Sequence, residues 1–157
     1  MPSVRASIDV AVMLLAIAVQ SASAQAGEEP GAEVFRQYCS PCHQADGAGI
    51  PGIAPALKGP HWRKLLRDRS YLPRVVAFGL AGPIRVGDAT YNSAMPPQAH
   101  LTDEQLAAVI NFVAVELNAA QVPDGWRRFE TSGIAAVRAG QHGSNEQRQL
   151  RKQILAP

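Results

Sequence analysis

The five residues Cys39-Ser40-Pro41-Cys42-His43 constrain this chain more tightly than any other part of it. They contain its only two cysteines, separated by two residues. A disulfide across so short a span closes too small a loop to restrain an unfolded chain usefully. One helical turn, by contrast, brings both sulfurs to one side with His43 beside them. The group is suited to chemistry rather than to stapling a fold.

C-x-x-C-H is the pattern of covalent haem attachment. Each sulfur can form a thioether with a haem vinyl group, and the adjacent imidazole of His43 can bind the iron. The same cysteines, with Pro41 between them, also have the form of a thiol–disulfide redox centre. That alternative expects a strand–helix–strand pattern around the motif. Here Gly47, Gly49, Gly52, Gly59, Pro51, Pro55 and Pro60 predict loop from His43 to Pro60.

The amino-terminal residues are expected to lie outside the fold. Arg5 precedes an apolar run from Val10 to Val19, and Ala22-Ser23-Ala24 follows with the small-x-small pattern of a signal-peptidase site. Ten residues rise only ~15 Å as a helix, about half the hydrocarbon thickness of a bilayer. Residues 1–24 therefore read as a cleaved secretory signal, cut after Ala24 or, one register on, after Ala26. Asp9 at the border of the run is unusual, and an uncleaved anchor is the alternative. Either way the remainder is exported, with the periplasm as its expected location.

Net charge is +2 over 157 residues, and no basic stripe alternates with aromatics, which argues against nucleic-acid binding. Residues 25–120 carry 8 Lys/Arg against 9 Asp/Glu, whereas residues 121–157 carry 6 against 3. Within the first stretch a helix is expected from Pro30 through Val34, Phe35 and Tyr38 into Cys39. One or two more are expected between Trp62 and Phe78, with Ser70 as a cap. Ile84, Val86 and Tyr91 flank Gly87-Asp88 as a short hairpin would. Thr102 to Gln105 matches a capping box, and Leu106, Val109, Ile110, Val113 and Leu117 then recur at helical spacing. The class is all-α. Residues 25–120 form the expected domain and 121–157 an extension. In that extension Trp126, Ile134 and Val137 could fold back, while the polar stretch from Gly143 to Pro157 is expected to be mobile.

These features together resemble the class I monohaem c-type cytochromes over about residues 30 to 118. Phe35 stands one turn before Cys39, like that family's first-helix aromatic, and Phe112 resembles its partner on the last helix. Gly31 fits the close crossing of those two helices. The resemblance implies a cytochrome c-like fold, with few helices wrapped around one covalent haem c and a short hairpin near the axial methionine. It implies that the Pro55 carbonyl receives the Nδ1 proton of His43. It also implies that Met95, in Tyr91-Asn92-Ser93-Ala94-Met95-Pro96-Pro97, is the second axial ligand; Met1 and Met13 fall within the expected signal. Cys39, Cys42, His43, Pro55 and Met95 are thus the expected cofactor site, with His43 and Met95 on the metal.

The implied activity is one-electron transfer between redox proteins, not enzymatic turnover, with the membrane involved only indirectly. The stretch from Gly79 to Met95, with Asp124-Gly125-Trp126 and Val137-Arg138, is similar to cytochrome c domains that accompany periplasmic oxidoreductases. Some copper nitrite reductases and quinoprotein dehydrogenases have such domains, so a dehydrogenase or reductase is an expected partner. Those domains usually have glycine where Asp88 stands. Other readings stay open at this level. A haem enzyme with an open iron site would need Met95 to be no ligand. His61 or His100 could replace it, while His142 has no expected role. Trp62, Arg63 or Arg85 could reach a haem propionate, and Arg63, Lys64, Arg67 and Arg69 could steer an acidic partner.

Overall fold

Pro30 has no N–H to leave unpaired and a φ already set for a helix, so it can open one without a side-chain cap. The computed structural model describes residues 29–157, and α1 runs over Pro30–Val34 with Pro30 in its first turn. The helix then widens into a π-helical turn, Phe35–Cys39, and tightens again as α2, Ser40–His43. The expected signal sequence and its cleavage sites lie outside the described residues.

A long helix, α5 (Asp103–Val115), crosses α1 closely. A β-carbon on Gly31 would strike the Ala108 carbonyl and lie 2.8 Å from Phe112 Cβ. One turn on, the rings of Phe35 and Phe112 meet with centroids 5.1 Å apart. The start of α5 is a complete capping box: Thr102 Oγ1 accepts from the Gln105 N–H at 3.2 Å, and Gln105 Oε1 accepts from the Thr102 N–H at 2.9 Å. Leu106, Val109, Ile110 and Val113 are buried, as their spacing predicts.

Between them come α3 (Trp62–Leu65), α4 (Tyr71–Phe78) and an antiparallel hairpin, β1 (Ile84–Val86) with β2 (Ala89–Tyr91). Ile84 pairs with Tyr91 and Val86 with Ala89, leaving Gly87-Asp88 at the turn. The cap of α4 differs from expectation. Ser70 occupies the position, but its hydroxyl does not cap; it donates to Asp68 Oδ1 at 2.7 Å. The same Asp68 oxygen accepts the Ser70 and Tyr71 backbone N–H groups at 2.8 and 3.2 Å. A carboxylate two residues upstream reaches those donors better than the shorter hydroxyl.

The carboxy-terminal residues wrap the outside of this core. Asn111, buried on α5, accepts the Phe129 N–H at 2.7 Å and donates to the Phe129 carbonyl at 3.0 Å. Beyond it, α6 (Thr131–Ala139) buries Ile134 completely. Arg138 ties it down by donating to the Leu101 and Ala99 carbonyls and pairing with Asp103 at 3.2 Å. The stretch from Gly143, expected to be mobile, instead forms α7 (Ser144–Leu155), which packs on α3 and α4. Its inner stripe is Gln147, Leu150, Arg151, Ile154 and Leu155, with Gln147 and Arg151 buried. Two of the five are polar, which hides a helical face from a reading based on apolar spacing.

The Asn111 clamp makes a test of this docking. Asn111→Ala leaves the Phe129 N–H and carbonyl without partners, at about 1–3 kcal/mol for each buried group. Chemical denaturation of the variant should show a loss of that order. Limited proteolysis should cut first between Gln121 and Phe129.

Candidate functional site

His43 ends α2 because Gln44 adopts φ 62° and ψ 157°, a region almost reserved for glycine. The stop directs the imidazole inward, where it is 7% exposed. Its Nδ1 lies 2.9 Å from the Pro55 carbonyl oxygen. That oxygen only accepts, so Nδ1 carries the proton and Nε2 keeps a lone pair. Burial lowers the pKa of His43, opposed by the bond to Pro55, and this favours the neutral ring a metal requires.

The loop that brings Pro55 to His43 is braced by its own backbone and by α5. Gly49 N–H donates to the His43 carbonyl at 2.9 Å, and Ile50 and Ala54 exchange bonds across a tight turn. Asn118, buried just beyond α5, donates Nδ2 to the Leu57 and Val113 carbonyls at 2.7 and 3.0 Å.

Cys39 is half-buried at the end of the π-helical turn and Cys42 is exposed, and the two are not joined in a disulfide. Burial, reinforced by the neighbouring Cys42, pushes the Cys39 thiol up to about 11. A thiol–disulfide centre needs the opposite, a thiol that ionises readily.

Met95 is fixed by a two-way backbone bridge: its N–H donates to Leu80 at 2.9 Å, and Leu80 N–H donates back at 3.1 Å. The strand-like approach depends on Gly79 at φ 76°, where a β-carbon would sit 2.5 Å from the Met95 carbonyl oxygen.

Cys39, Cys42, His43, Pro55 and Met95 all border one deep cleft. Its walls are mainly apolar: Leu57, Leu72, Val75, Val76, Leu80, Ile84, Val109, Ile110 and Val113. Among the described residues no group of three or more His, Cys, Asp or Glu side chains could cage a bare metal ion. His43 and Met95 could supply two donors, the number a haem iron would take from the protein. Trp62 Nε1 is buried in the wall without a hydrogen-bond partner, so the cleft also presents a donor to any occupant bearing an acceptor. The residues fit a haem.

The other sequence candidates divide. His61 lines the cleft, and burial with the charge of Arg151 lowers its pKa to about 4. His100 is exposed against the Tyr38 ring, with centroids 5.0 Å apart. His142 packs edge-on to Phe78 outside the cleft. Arg85 points to solvent, 4.0 Å from Asp88. The basic cluster is split: Lys64 Nζ donates to the Ala156 carbonyl, and Arg69 donates to Arg127 while its guanidinium covers Phe129 at 4.2 Å. Arg63 and Arg67 stay at the surface. The cation that does reach the cleft wall is Arg151 of α7, which sequence reasoning missed.

Comparison with known proteins agrees with this geometry. The family described as Cytochrome c matches residues 28–115. Two proteins named cytochrome c-552 from Thermus thermophilus are 38% identical over 111 residues, covering 69% of this chain and 84% or 74% of their own lengths. The cytochrome c subunit of a quinone alcohol dehydrogenase from Gluconobacter oxydans is 38% identical over 84 residues, which are 53% of this chain and 17% of that protein.

Gln44 offers a direct probe of the helix stop. Its conformation costs about 1–3 kcal/mol, whereas glycine adopts it freely at an entropic cost of about 0.5–1 kcal/mol. Gln44→Gly should therefore raise stability by about 1 kcal/mol in thermal or chemical unfolding.

Proposed function

The chain belongs to the cytochrome c family, and from that premise we propose that it carries one covalent haem c with His43 and Met95 as axial ligands and relays single electrons between exported redox proteins. The observation that carries this reading is the convergence of Cys39, Cys42, His43 and Met95 on one apolar cleft. When bound, haem iron supplies a one-electron ferric/ferrous couple. The chain's own residues do the rest. Cys39 and Cys42 would hold the group against loss through thioether links to its vinyl groups. His43 is kept in one tautomer by Pro55, which orients Nε2 and makes it a better donor.

Met95 contributes a thioether, the ligand type that raises the potential of a c-type centre. It leaves no open position for a substrate, which favours a carrier over a haem enzyme with a vacant iron site. Close packing of α4 and α5 lines the cleft with apolar side chains, as suits a centre that should move little when its charge changes. The thiol–disulfide alternative is disfavoured by the high pKa of Cys39 and by the loop that follows the motif.

The expected compartment is the periplasm, on the strength of the apolar run and Ala22-Ser23-Ala24. No helix among the described residues is long and apolar enough to cross a membrane. One relative is named as a subunit of a quinone dehydrogenase, which makes a periplasmic dehydrogenase or reductase a reasonable donor or acceptor for this chain.

Denaturing electrophoresis with haem staining checks the attachment. Protein made in a host with cytochrome maturation machinery should give a coloured band that Cys39→Ala or Cys42→Ala weakens or abolishes. A colourless wild-type band would overturn the reading.

The axial pair has its own test. Met95→Ala should keep the covalent haem while losing the sulfur-to-iron charge-transfer band in the near-red, with a lower midpoint potential. If both are retained, another group is the ligand.

A further inference from the structure

Pro96 and Pro97 follow Met95 directly, and neither has a backbone N–H to donate, so the chain just after Met95 must be held by other means. Met95 itself is bridged to Leu80, and the next backbone anchor is Gln98, whose N–H donates to the Val76 carbonyl of α4 at 2.9 Å. Beyond it, the Ala99 and Leu101 carbonyls receive no backbone N–H among the described residues. One side chain takes both: Arg138 of α6 donates Nη2 to Ala99 at 3.1 Å and Nη1 to Leu101 at 2.7 Å. Nη1 also pairs with Asp103 at 3.2 Å. All three acceptors lie between Ala99 and Asp103, where the loop turns into α5.

Arg138 is well anchored for such a grip. One turn before it Ile134 is completely buried, and α6 packs on both α4 and α5. Its planar fork reaches two loop carbonyls at once, which a lysine making the same ion pair could not do. Arg138 does not border the cleft, and it lies beyond the residues the family matches. We propose that Arg138 is a positioning residue for Met95: it pins the far end of the loop, so that the carboxy-terminal extension sets how readily Met95 leaves its place. This rests on the reading of Met95 as an axial ligand. Leu80 and Val76 hold the loop from within the domain, and Arg138 holds it from outside. Bonds from a charged donor are the stronger kind, so losing them frees the loop locally while the helices stay packed.

The test is the exchange of Met95 for imidazole in the ferric holoprotein. An imidazole nitrogen bonds to iron as the Met95 sulfur leaves, iron stays ferric, and the sulfur-to-iron charge-transfer band disappears. At saturating imidazole the rate is limited by opening of the loop, while chemical denaturation reports global stability separately. Arg138→Gln should raise the limiting rate about 10- to 100-fold, as expected for losing bonds from a charged group. Arg138→Lys keeps the ion pair but cannot span both carbonyls, so its rate should fall between those of wild type and Arg138→Gln. Asp103→Asn spares both carbonyl bonds and should change the rate by less than about fivefold. Asn111→Ala weakens the extension at Phe129, away from the loop, and should lower stability alone.

A wild-type limiting rate in Arg138→Gln, with only stability reduced, would make the arginine a strut for α6 and overturn the proposal. Equal acceleration in Asn111→Ala at a matched loss of stability would also overturn it, because opening would then follow global stability. If Arg138→Gln does not accumulate, Arg138→Lys decides, and a rate equal to wild type there sinks the role of the fork. Wild-type ferric protein without the charge-transfer band would defeat the axial reading of Met95 itself. A wild type that has the band, with no acceleration in the Arg138 variants, defeats only this inference.

Discussion

Where α1 crosses α5, the Gly31 backbone rests against the Ala108 carbonyl with no room for a β-carbon, and the geometry of the site follows from that approach. The crossing sets the direction in which the first helix runs, and the Phe35–Phe112 contact fixes its rotation. Cys39, Cys42 and His43 are then carried to the edge of the surface formed by Val109, Ile110 and Val113 of α5. The π-helical turn at Phe35–Cys39 admits an extra residue before the motif, which changes the angular phase of everything after it. A larger side chain at position 31 would therefore disturb the motif as well as the packing.

The cleft opens through the middle of the apolar core instead of lying on its surface. Leu72, Val75, Leu80 and Ile110 belong both to the packed cluster and to the cleft wall. The apolar area that such a small chain buries among its own side chains is limited, so an occupant of the cleft would complete the core. Polar groups at the wall include the imidazole held by Pro55, the indole N–H of Trp62, and Arg151 against Tyr71. Burial raises the pKa of the Tyr71 hydroxyl, and the adjacent arginine works against that rise.

The extension after α5 is integrated by specific polar contacts as well as by apolar packing. Asn111 grips Phe129 through both backbone groups, Arg69 covers the Phe129 and Trp126 rings, and Lys64 holds the last turn through Ala156. These contacts take two of the four basic residues between Arg63 and Arg69 out of any role as free surface charge. Steering of an acidic partner would fall to Arg63 and Arg67, at the protein surface, where attraction is screened by salt.

The local pattern of the chain was enough to place the attachment motif, the capping box at Thr102, the hairpin around Gly87-Asp88 and the all-α class. Each of these depends on neighbours within a few residues, so spacing and turn chemistry decide it. Met95 could be singled out because the chain offers no other methionine beyond the expected signal. Tertiary structure alone decided which arginine enters the cleft. Arg63 and Arg85 are closer to the motif in sequence, but their side chains face solvent, while Arg151 arrives on a helix that is mostly polar along the chain. At the start of α4 the choice is local: Asp68, rather than Ser70, supplies the accepting side-chain oxygen. A buried charge is tolerated only where distant elements supply its partners, and such partners have no signature in the residues around it.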